Sequence, residues 1–202
     1  MNIPPAVPEE LCLSFANTVH WHASEHPLEM VRSYEELLAW EKEAGLLSAP
    51  DAAQLAGLAA AQPDAAAGVW RRAAALREAF YRVFVARIGG EAAAPGDLAL
   101  LNTELAAAMA HAELQPGAAG FAWGWASAPR LERVLWPVVR SAATLLTDGA
   151  LLERVGQCAD DRGCGWLFLD LSKNRSRRWC DINDCGNRAK QRRHNARRRA
   201  GM

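Results

Sequence analysis

The sequence predicts a mainly α-helical protein with a small cysteine-rich module at its C-terminus. In the first 150 residues, apolar side chains recur at helical spacing in several stretches that prolines and glycines separate. Four of the five cysteines fall in the last 45 residues, in a segment that ends with seven Lys and Arg and no acid. The predicted fold class is therefore an irregular helical N-terminal domain with a minor β element, plus a C-terminal finger built from a β-hairpin and a helix.

The first predicted elements follow a proline-rich start. Leu11–Val19 has the apolar content of a short helix or of an extended segment that packs on a core. Ser33 and Glu36 form a capping box, because the Ser33 hydroxyl can accept the N–H of Glu36 while the Glu36 carboxylate accepts that of Ser33. A helix with Tyr34 in its first turn follows, and Gly45 ends it.

Three more helices are predicted before residue 110. Asp51 is expected to cap an alanine-rich helix that ends before Pro63, and Asp64 is expected to start a longer one. Gly89-Gly90 stops the longer helix, and a further helix begins at Pro95. The apolar stripe of the longer helix includes Val69, Ala73, Leu76 and Phe80.

The minor β element is predicted near residues 121–125. Gln115–Gly120 has the composition of a loop, and Phe121–Trp125 alternates large and small residues as a short strand or hairpin arm does. A fifth helix is expected from Pro129 to about Thr147. Pro137 should bend this helix or mark a break in it.

The clustered cysteines have the arrangement of a zinc site. Their spacing is Cys158-x5-Cys164-x15-Cys180-x4-Cys185. Zinc favours four tetrahedral thiolate or imidazole ligands, and two close pairs separated by about fifteen residues let two turns of the chain close on one ion. Four thiolates leave no open coordination position, so the predicted cofactor is one structural zinc ion per chain.

The residues between the cysteine pairs predict a hairpin and a helix around the ion. Gly165–Asp170 and Arg177–Trp179 have the character of two short strands, with Ser172–Asn174 as the turn. Cys185 then falls in or just before the first turn of a helix, where backbone N–H groups stabilise a thiolate. The order of knuckle, hairpin and helix is the treble-clef arrangement.

These residues resemble the CGNR zinc finger, a family named for the tetrapeptide that begins here at Cys185. The resemblance rests on Cys164–Asp170, on Asn174–Cys180 and on Cys185–Arg188. It implies a zinc site with Cys158, Cys164, Cys180 and Cys185 as ligands. It also implies a DNA-binding role at the C-terminus of a bacterial regulator.

The N-terminal part is similar to the ABATE domain, which commonly precedes a CGNR finger in stress-induced transcription regulators. The similarity lies in Leu11–Thr18 and in Ser33–Leu47, which contains Trp40. This chain has Ser14 where the family usually has an acidic residue. The resemblances divide the chain into an ABATE-like domain at residues 1–150 and a finger at residues 151–202.

Charge is distributed unevenly along the chain and predicts a polyanionic partner. Residues 151–202 hold 13 Lys and Arg against 6 Asp and Glu, and residues 1–150 hold 10 against 17. We expect DNA to be that partner and Arg188 or Arg192 to read guanine; a solvated face, a membrane-surface contact and a protein contact are the alternatives. The predicted nucleic-acid-binding residues are Arg175, Arg177, Arg178, Arg188, Lys190, Arg192, Arg193 and Arg197.

Polar chemistry in the body is concentrated in Asn17–His22. Asn17, His20 and His22 predict a pocket for a small-molecule effector, and the alternative is a set of satisfied polar groups beside a surface loop. The chain offers no Ser-His-Asp order, Gly-rich phosphate loop or paired catalytic carboxylates of any specificity, so we do not expect an enzyme.

The start of the chain and its hydropathy predict a cytoplasmic protein. Met1–Glu10 contains three prolines and two acids instead of a signal peptide, and no apolar run approaches the roughly twenty residues of a membrane span. Together, these inferences predict a DNA-binding transcription regulator whose body senses a ligand or mediates assembly, and a homodimer if operators are read. An RNA-associated protein and a small-molecule-binding enzyme with a structural finger are the alternative functions.

Overall fold

The structure is a computed structural model that describes residues 10–117, 120–126, 129–199 and 201. Its helical content is 58%, which confirms the mainly α fold class. The prediction about Met1–Glu10 concerns residues that, Glu10 apart, lie outside the described ranges. Within those ranges, no helix has both the length and the apolar character that crossing a bilayer requires.

The described residues form eight α-helices and three two-stranded antiparallel sheets. The helices are α1 (Leu11–Ala16), α2 (Tyr34–Glu43), α3 (Ala49–Ala61), α4 (Pro63–Ile88), α5 (Pro95–Met109), α6 (Trp136–Thr147), α7 (Gly149–Leu152) and α8 (Asn187–Arg199). The sheets pair β1 (Val19–His20) with β2 (Leu28–Glu29), β3 (Ala112–Gly117) with β4 (Gly120–Trp125), and β5 (Val155–Gln157) with β6 (Leu167–Leu169). Below, the body is residues 10–152 and the C-terminal module is residues 155–199.

The short helix α1 lies at the centre of the body. Five of its six residues are buried, because α4 and α6 pack on it from the body and β6 packs on it from the C-terminal module. The backbone N–H of Cys12 donates to the Ser141 hydroxyl of α6 over 3.1 Å. The predicted stripe of α4 is buried, and this helix ends where Gly90 adopts a φ of +75°.

The caps of α2 and α3 differ from the prediction, α2 in one hydrogen-bond partner and α3 in the capping residue. Ser33 caps α2 as expected, but the Glu36 carboxylate accepts the N–H of Arg32 and not that of Ser33. Ser48, three residues before Asp51, caps α3, and its hydroxyl both accepts the Asp51 N–H and donates to the Asp51 carboxylate. The cap therefore lies earlier because Ser48 and Asp51 stand at capping-box spacing.

The predicted helix from Pro129 to Thr147 is broken. Leu131–Leu135 forms a 3₁₀ turn, and α6 begins at Trp136 with Pro137 in its first turn. Proline fits a first helical turn because no intrahelical hydrogen bond needs its missing N–H there. Pro137 thus marks the break that the sequence predicted.

The predicted loop at Gln115–Gly120 was wrong at Gln115–Gly117 and at Gly120, and residues 118–119 lie outside the described ranges. Strand β3 runs to Gly117 and pairs with β4 in a register that places Leu114 opposite Trp123. Gly120, the first residue of β4, has a φ of +129°, a conformation that favours glycine. The strand depends on cross-strand hydrogen bonds, which local composition did not reveal.

The hairpin of the C-terminal module uses a partner strand different from the predicted one. Leu167–Leu169 pairs with Val155–Gln157, and Arg177–Trp179 forms no strand. All three residues of β6 are buried, so this strand needs cover on both faces. Gly156 provides room for the Phe168 ring, since a Cβ at Gly156 would lie 2.8 Å from it.

Candidate metal centre and basic helix

Four cysteine sulfurs from two separate chain turns meet at one point. The Sγ atoms of Cys158, Cys164, Cys180 and Cys185 all lie within 4.8 Å of one another. The Cys180 sulfur is 3.7 Å from those of Cys164 and Cys185. Zinc–sulfur bonds of about 2.3 Å place the sulfurs of a regular tetrahedron about 3.8 Å apart. The four side chains therefore fit one zinc ion.

The four thiols are too close together for all of them to ionise without a cation among them. The neighbouring sulfurs of Cys158 and Cys164 hold the pKa of the Cys180 thiol far above its usual range. A dication removes this penalty because it stabilises all four thiolates together. The Arg188 guanidinium adds further positive charge, and its Nη2 donates to the Cys185 sulfur over 2.8 Å.

The first cysteine pair lies in the connection between β5 and β6, here called the knuckle loop (residues 158–164). The N–H of Cys158 donates to the Trp166 carbonyl over 2.8 Å and closes this connection. Gly163 and Gly165 have φ values of +85° and +69°. A Cβ at Gly163 would lie 2.7 Å from the Ser24 backbone, and one at Gly165 would lie 2.7 Å from Ala23. Both glycines therefore allow the module to approach the body closely.

A segment of the body completes the surroundings of the cysteines. The backbone N–H groups of His22 and Ala23 donate to the carbonyls of Cys164 and Gly163, each over 3.1 Å. Trp21 packs against the buried cysteines, with the guanidinium of Arg162 5.0 Å from its ring centre. Arg188 lies 5.4 Å from the same ring. The body thus supplies part of the module's own core.

Two of the three residues predicted to bind a ligand have partners within the protein. The Asn17 side chain accepts the N–H of Leu167 and donates to its carbonyl, each over 2.8 Å. The His22 ring stacks on Tyr81 at 3.6 Å, and its Nε2 lies 2.9 Å from a Glu78 carboxylate oxygen. The Asn17 contacts therefore join the body to the module, whereas the His22 side chain packs on α4 within the body.

His20, the third predicted ligand-binding residue, and Asn17 both line an open groove of about 590 Å³ between the body and the module. The His20 ring meets that of Trp166 edge to face at 5.0 Å. The groove combines apolar walls with a few polar groups, as binding sites for small molecules do. Its principal lining residues are Ser14, Asn17, His20, Met30, Glu36, Trp40, Glu43 and Trp166.

The basic helix α8 has an inner face that is attached to the knuckle loop. Arg192 donates to the Asp160 carboxylate over 2.9 Å, and Arg188 Nε lies 3.5 Å from the other oxygen of that carboxylate. The Asp160 side chain is completely buried. Burial alone would raise the pKa of this carboxyl, but hydrogen bonds, foremost those from Arg162, hold it well below its usual range. Asp160 is therefore a carboxylate that fixes the orientation of α8.

The opposite face of α8 presents cations to solvent. None of the thirteen residues of this helix is buried. Lys190, Arg193 and Arg197 are exposed and, within the described ranges, their side chains make no hydrogen bond or ion pair with the protein. Because these residues lie at i, i+3 and i+7, they form one row along the helix.

The other predicted nucleic-acid-binding residues are divided among several contacts. Arg188 and Arg192 belong to the inner face described above, so neither is free to read a base in this conformation. Arg175 pairs with Glu153 over 3.0 Å, and Arg177 donates to the Trp179 carbonyl over 3.0 Å. The guanidinium of Arg178 lies 5.3 Å from the Trp179 ring centre. The structure therefore does not bring all eight cations to one surface.

Comparison with known families matches both parts of the chain. The model of the ABATE family, described as "Putative stress-induced transcription regulator", matches residues 9–149. The model of the CGNR zinc finger matches residues 154–198. No curated protein matches the chain. The finger match and the four clustered sulfurs together identify a site for one zinc ion, and neither family is an enzyme class.

Proposed function

The chain belongs to the ABATE family and carries a CGNR zinc finger, and from this premise we propose that it is a transcription regulator that binds DNA through α8. The observation that carries the proposal is the outward row of Lys190, Arg193 and Arg197 on a helix that buries nothing. A helix with this composition gains no stability from an apolar core, so a polyanion is the partner that its charge favours.

The inner arginines support this role indirectly. Arg188 and Arg192 pair with Asp160, and these contacts keep the outer row at a fixed angle to the metal centre. A prearranged row loses less conformational entropy on binding than cations on a frayed tail would. Each phosphate contact contributes about −0.9 to the log-log salt slope, so the three outer cations together account for about −2.7.

The zinc ion has a structural part in the proposal. Cys158, Cys164, Cys180 and Cys185 would be its ligands, and all four coordination positions would then be occupied by protein. The free energy of binding the ion would stabilise the packing of the knuckle loop against the start of α8. The chain's residues do the rest: Arg188 offsets negative charge at Cys185, and Trp21 excludes water from the cluster.

The decisive experiment measures binding to duplex DNA as a function of salt. Replacing Lys190, Arg193 and Arg197 together by alanine should lower the magnitude of the salt slope by about 2.7 and weaken binding at low salt. The matched control replaces three exposed cations of the body, namely Lys42, Arg71 and Arg87. This control has the same net charge as the α8 variant. If it keeps the salt slope of wild type while the α8 variant loses it, binding is assigned to α8. Equal losses in both variants would contradict the proposal.

RNA is the alternative nucleic acid, since the same cations neutralise its phosphates. Competition between duplex DNA and a structured RNA with unpaired loops distinguishes the two. Preferential displacement by the RNA would replace a transcriptional role with an RNA-associated one.

We further propose that the body senses a small effector in the groove that His20 lines. The observation that favours this role is that Trp166 forms part of the groove wall and also accepts the N–H of Cys158, so one residue contacts both sites. With Trp40 and Trp166 as apolar walls and Glu36 and Glu43 as acids, the groove suits a ring that carries an amine.

A matched pair of probes tests the groove. Phenethylamine and phenylacetate share a ring and carry opposite charges. Quenching of tryptophan fluorescence should saturate with the amine alone, and Glu43→Gln should weaken that response. Equal responses to both probes, or an unchanged response in Glu43→Gln, would rule out an acidic effector groove.

A further inference from the structure

The hairpin β3–β4 carries an apolar face that continues outward from the core. Residues on one face of an antiparallel pair alternate along each strand and lie opposite one another. None of the residues on this face is charged. They are Ala112, Leu114 and Pro116 of β3 and Phe121, Trp123 and Trp125 of β4.

Only the base of this face is covered by the protein. Trp125 is buried, with its ring centre 5.6 Å from that of Trp136. Farther out, Phe121 is 79% exposed, Leu114 67% and Trp123 46%. The guanidinium of Arg140 lies 5.6 Å from the Trp123 ring centre and 5.9 Å from that of Trp125. The indoles are thus supported in place, with the outer part of the face turned to solvent.

The exposed area is large for a surface that never meets a partner. Whole aromatic side chains cover roughly 150–250 Å² each, so the three exposed side chains leave about 400 Å² of apolar surface. An apolar patch of roughly 300–600 Å² is about the largest that a typical monomer shows, and such patches are often functional. A two-stranded hairpin is also only marginally stable until further strands or apolar partners cover it.

We propose that this face is a dimer interface and that a second copy of the same chain covers it with its own β3–β4 face. A two-fold contact places the same patch on both sides, and two uncharged apolar faces match each other. An uncharged face also lets two bodies meet although each has a net charge of −7 over residues 1–150.

The area agrees with this occupant. A standard interface covers about 800 Å² on each partner, so the three side chains supply about half of it. The strand backbones and the neighbouring end of α5, where Met109 is 39% exposed, are available for the remainder. A nucleic-acid partner does not fit, since the six residues of the face are uncharged and the Arg140 guanidinium beside them is already packed on Trp123 and Trp125.

Dimerisation has one consequence that rests on the proposed function. A dimer holds two copies of α8, so both outer rows can contact one duplex. The contact between the hairpins does not itself depend on DNA binding and is measured without DNA.

The test measures the mass of the zinc-loaded full chain by sedimentation over a range of concentrations. Wild type should reach twice the monomer mass of 22.0 kDa, and the double variant Leu114→Ser/Phe121→Ser should remain monomeric. The control is Leu171→Ser, because Leu171 is also 67% exposed but belongs to the C-terminal module. This variant should dimerise as wild type does. Far-UV circular dichroism and zinc content show whether each variant is folded.

Several outcomes would overturn the proposal. Wild type could stay monomeric up to its solubility limit, which would leave the face to a different protein or a lipid surface. The folded double variant could dimerise as well as Leu171→Ser does, which would place the dimer contact elsewhere. Failure of the DNA proposal looks different, because the mass would still double while salt-dependent DNA binding would be missing.

Discussion

The body and the C-terminal module are stabilised in different ways. Leu37, Phe80 and Leu145 belong to one continuous apolar core in the body. The module's separate buried cluster holds only Cys158, Cys164 and Cys185 among its fully buried members. β6 joins the core of the body, but the knuckle loop and α8 depend on sulfur ligands and on arginine–carboxylate contacts. The module therefore has little apolar burial to maintain its fold if those polar contacts are lost.

Removing the metal is the strongest way to test this difference. Chelation or Cys185→Ser should release zinc and forfeit roughly 10–16 kcal/mol of apparent binding free energy. Hydrogen exchange should then rise in residues 158–166 and 171–199. It should stay slow in β6 and in α4, since both are buried in the body. Equal acceleration throughout the body would show that the two regions fold as one unit.

Breaking the attachment of α8 should have the next largest effect. Asp160→Asn removes the buried carboxylate that Arg188 and Arg192 share, at a cost of about 3 kcal/mol to the module. Asp161→Asn is the matched control, because Asp161 is 71% exposed and pairs with Arg192 alone. Hydrogen exchange of α8 at increasing urea concentration measures both variants. An Asp160→Asn variant as stable as the control would remove Asp160 from the account of how α8 is held.

The contact between the two regions can be weakened at Asn17. Asn17→Ala loses both hydrogen bonds to the backbone of Leu167 and should cost about 2 kcal/mol of stability. Asn102→Ala, at an exposed position of α5, should be close to neutral. Hydrogen exchange of β6 should accelerate only in the first variant. If thermal unfolding shows no difference between the two variants, the Asn17 contacts contribute little to docking.

A buried glutamate in the body makes stability depend on pH. Glu41 is completely buried, and desolvation raises the pKa of its carboxyl well above the usual value. The folded state keeps the proton that the unfolded state loses above its own pKa. The free energy of unfolding should therefore fall as pH rises from the Glu41 pKa of the unfolded state towards that of the folded state, by about 1.4 kcal/mol per pH unit.

Glu41→Gln removes this ionisation and should flatten the corresponding part of the stability profile. Urea unfolding of the body between pH 5 and 7, with zinc-loaded protein, measures the slope. Glu43→Gln, two residues away and exposed, should keep the wild-type slope. A Glu41→Gln profile parallel to wild type would show that another group causes the dependence.

The features that could be predicted from the sequence are those that short-range chemistry decides. Four thiols at this spacing have few alternatives to a metal, and Ser33 three residues before Glu36 can satisfy helix N–H groups without help from the rest of the fold. The partner of β6 could not be predicted in this way, because it depends on which segment leaves room for Phe168. Gly156 provides that room, but a glycine at this position gives no local signal that a strand will pair there.

The candidate site was predictable in its ligands but not in its supports. Asn17 and His22 have side chains suited to holding a ligand, but the Asn17 amide also bonds to Leu167 of the module and the His22 ring packs on Tyr81 of the body. Asp160 was an acid in a basic segment, and its pairing with Arg188 and Arg192 depends on a helix that lies more than twenty residues away in the sequence. The sequence did offer one signal. Asp160 lies two residues after the predicted ligand Cys158, and the cations follow the predicted ligand Cys185, so both are near the same metal site.

Trp21 sets a limit on how this protein can be recombined with its relatives. The family boundary near residue 150 suggests a place where fingers could be exchanged between proteins. If this finger is moved to another body, Trp21 and Ala23 stay behind, although they pack on the finger in this protein. A functional exchange therefore has to transfer residues 20–24 together with the finger, or retain glycine at positions 163 and 165. The unit of inheritance is larger than the unit that the sequence boundary marks.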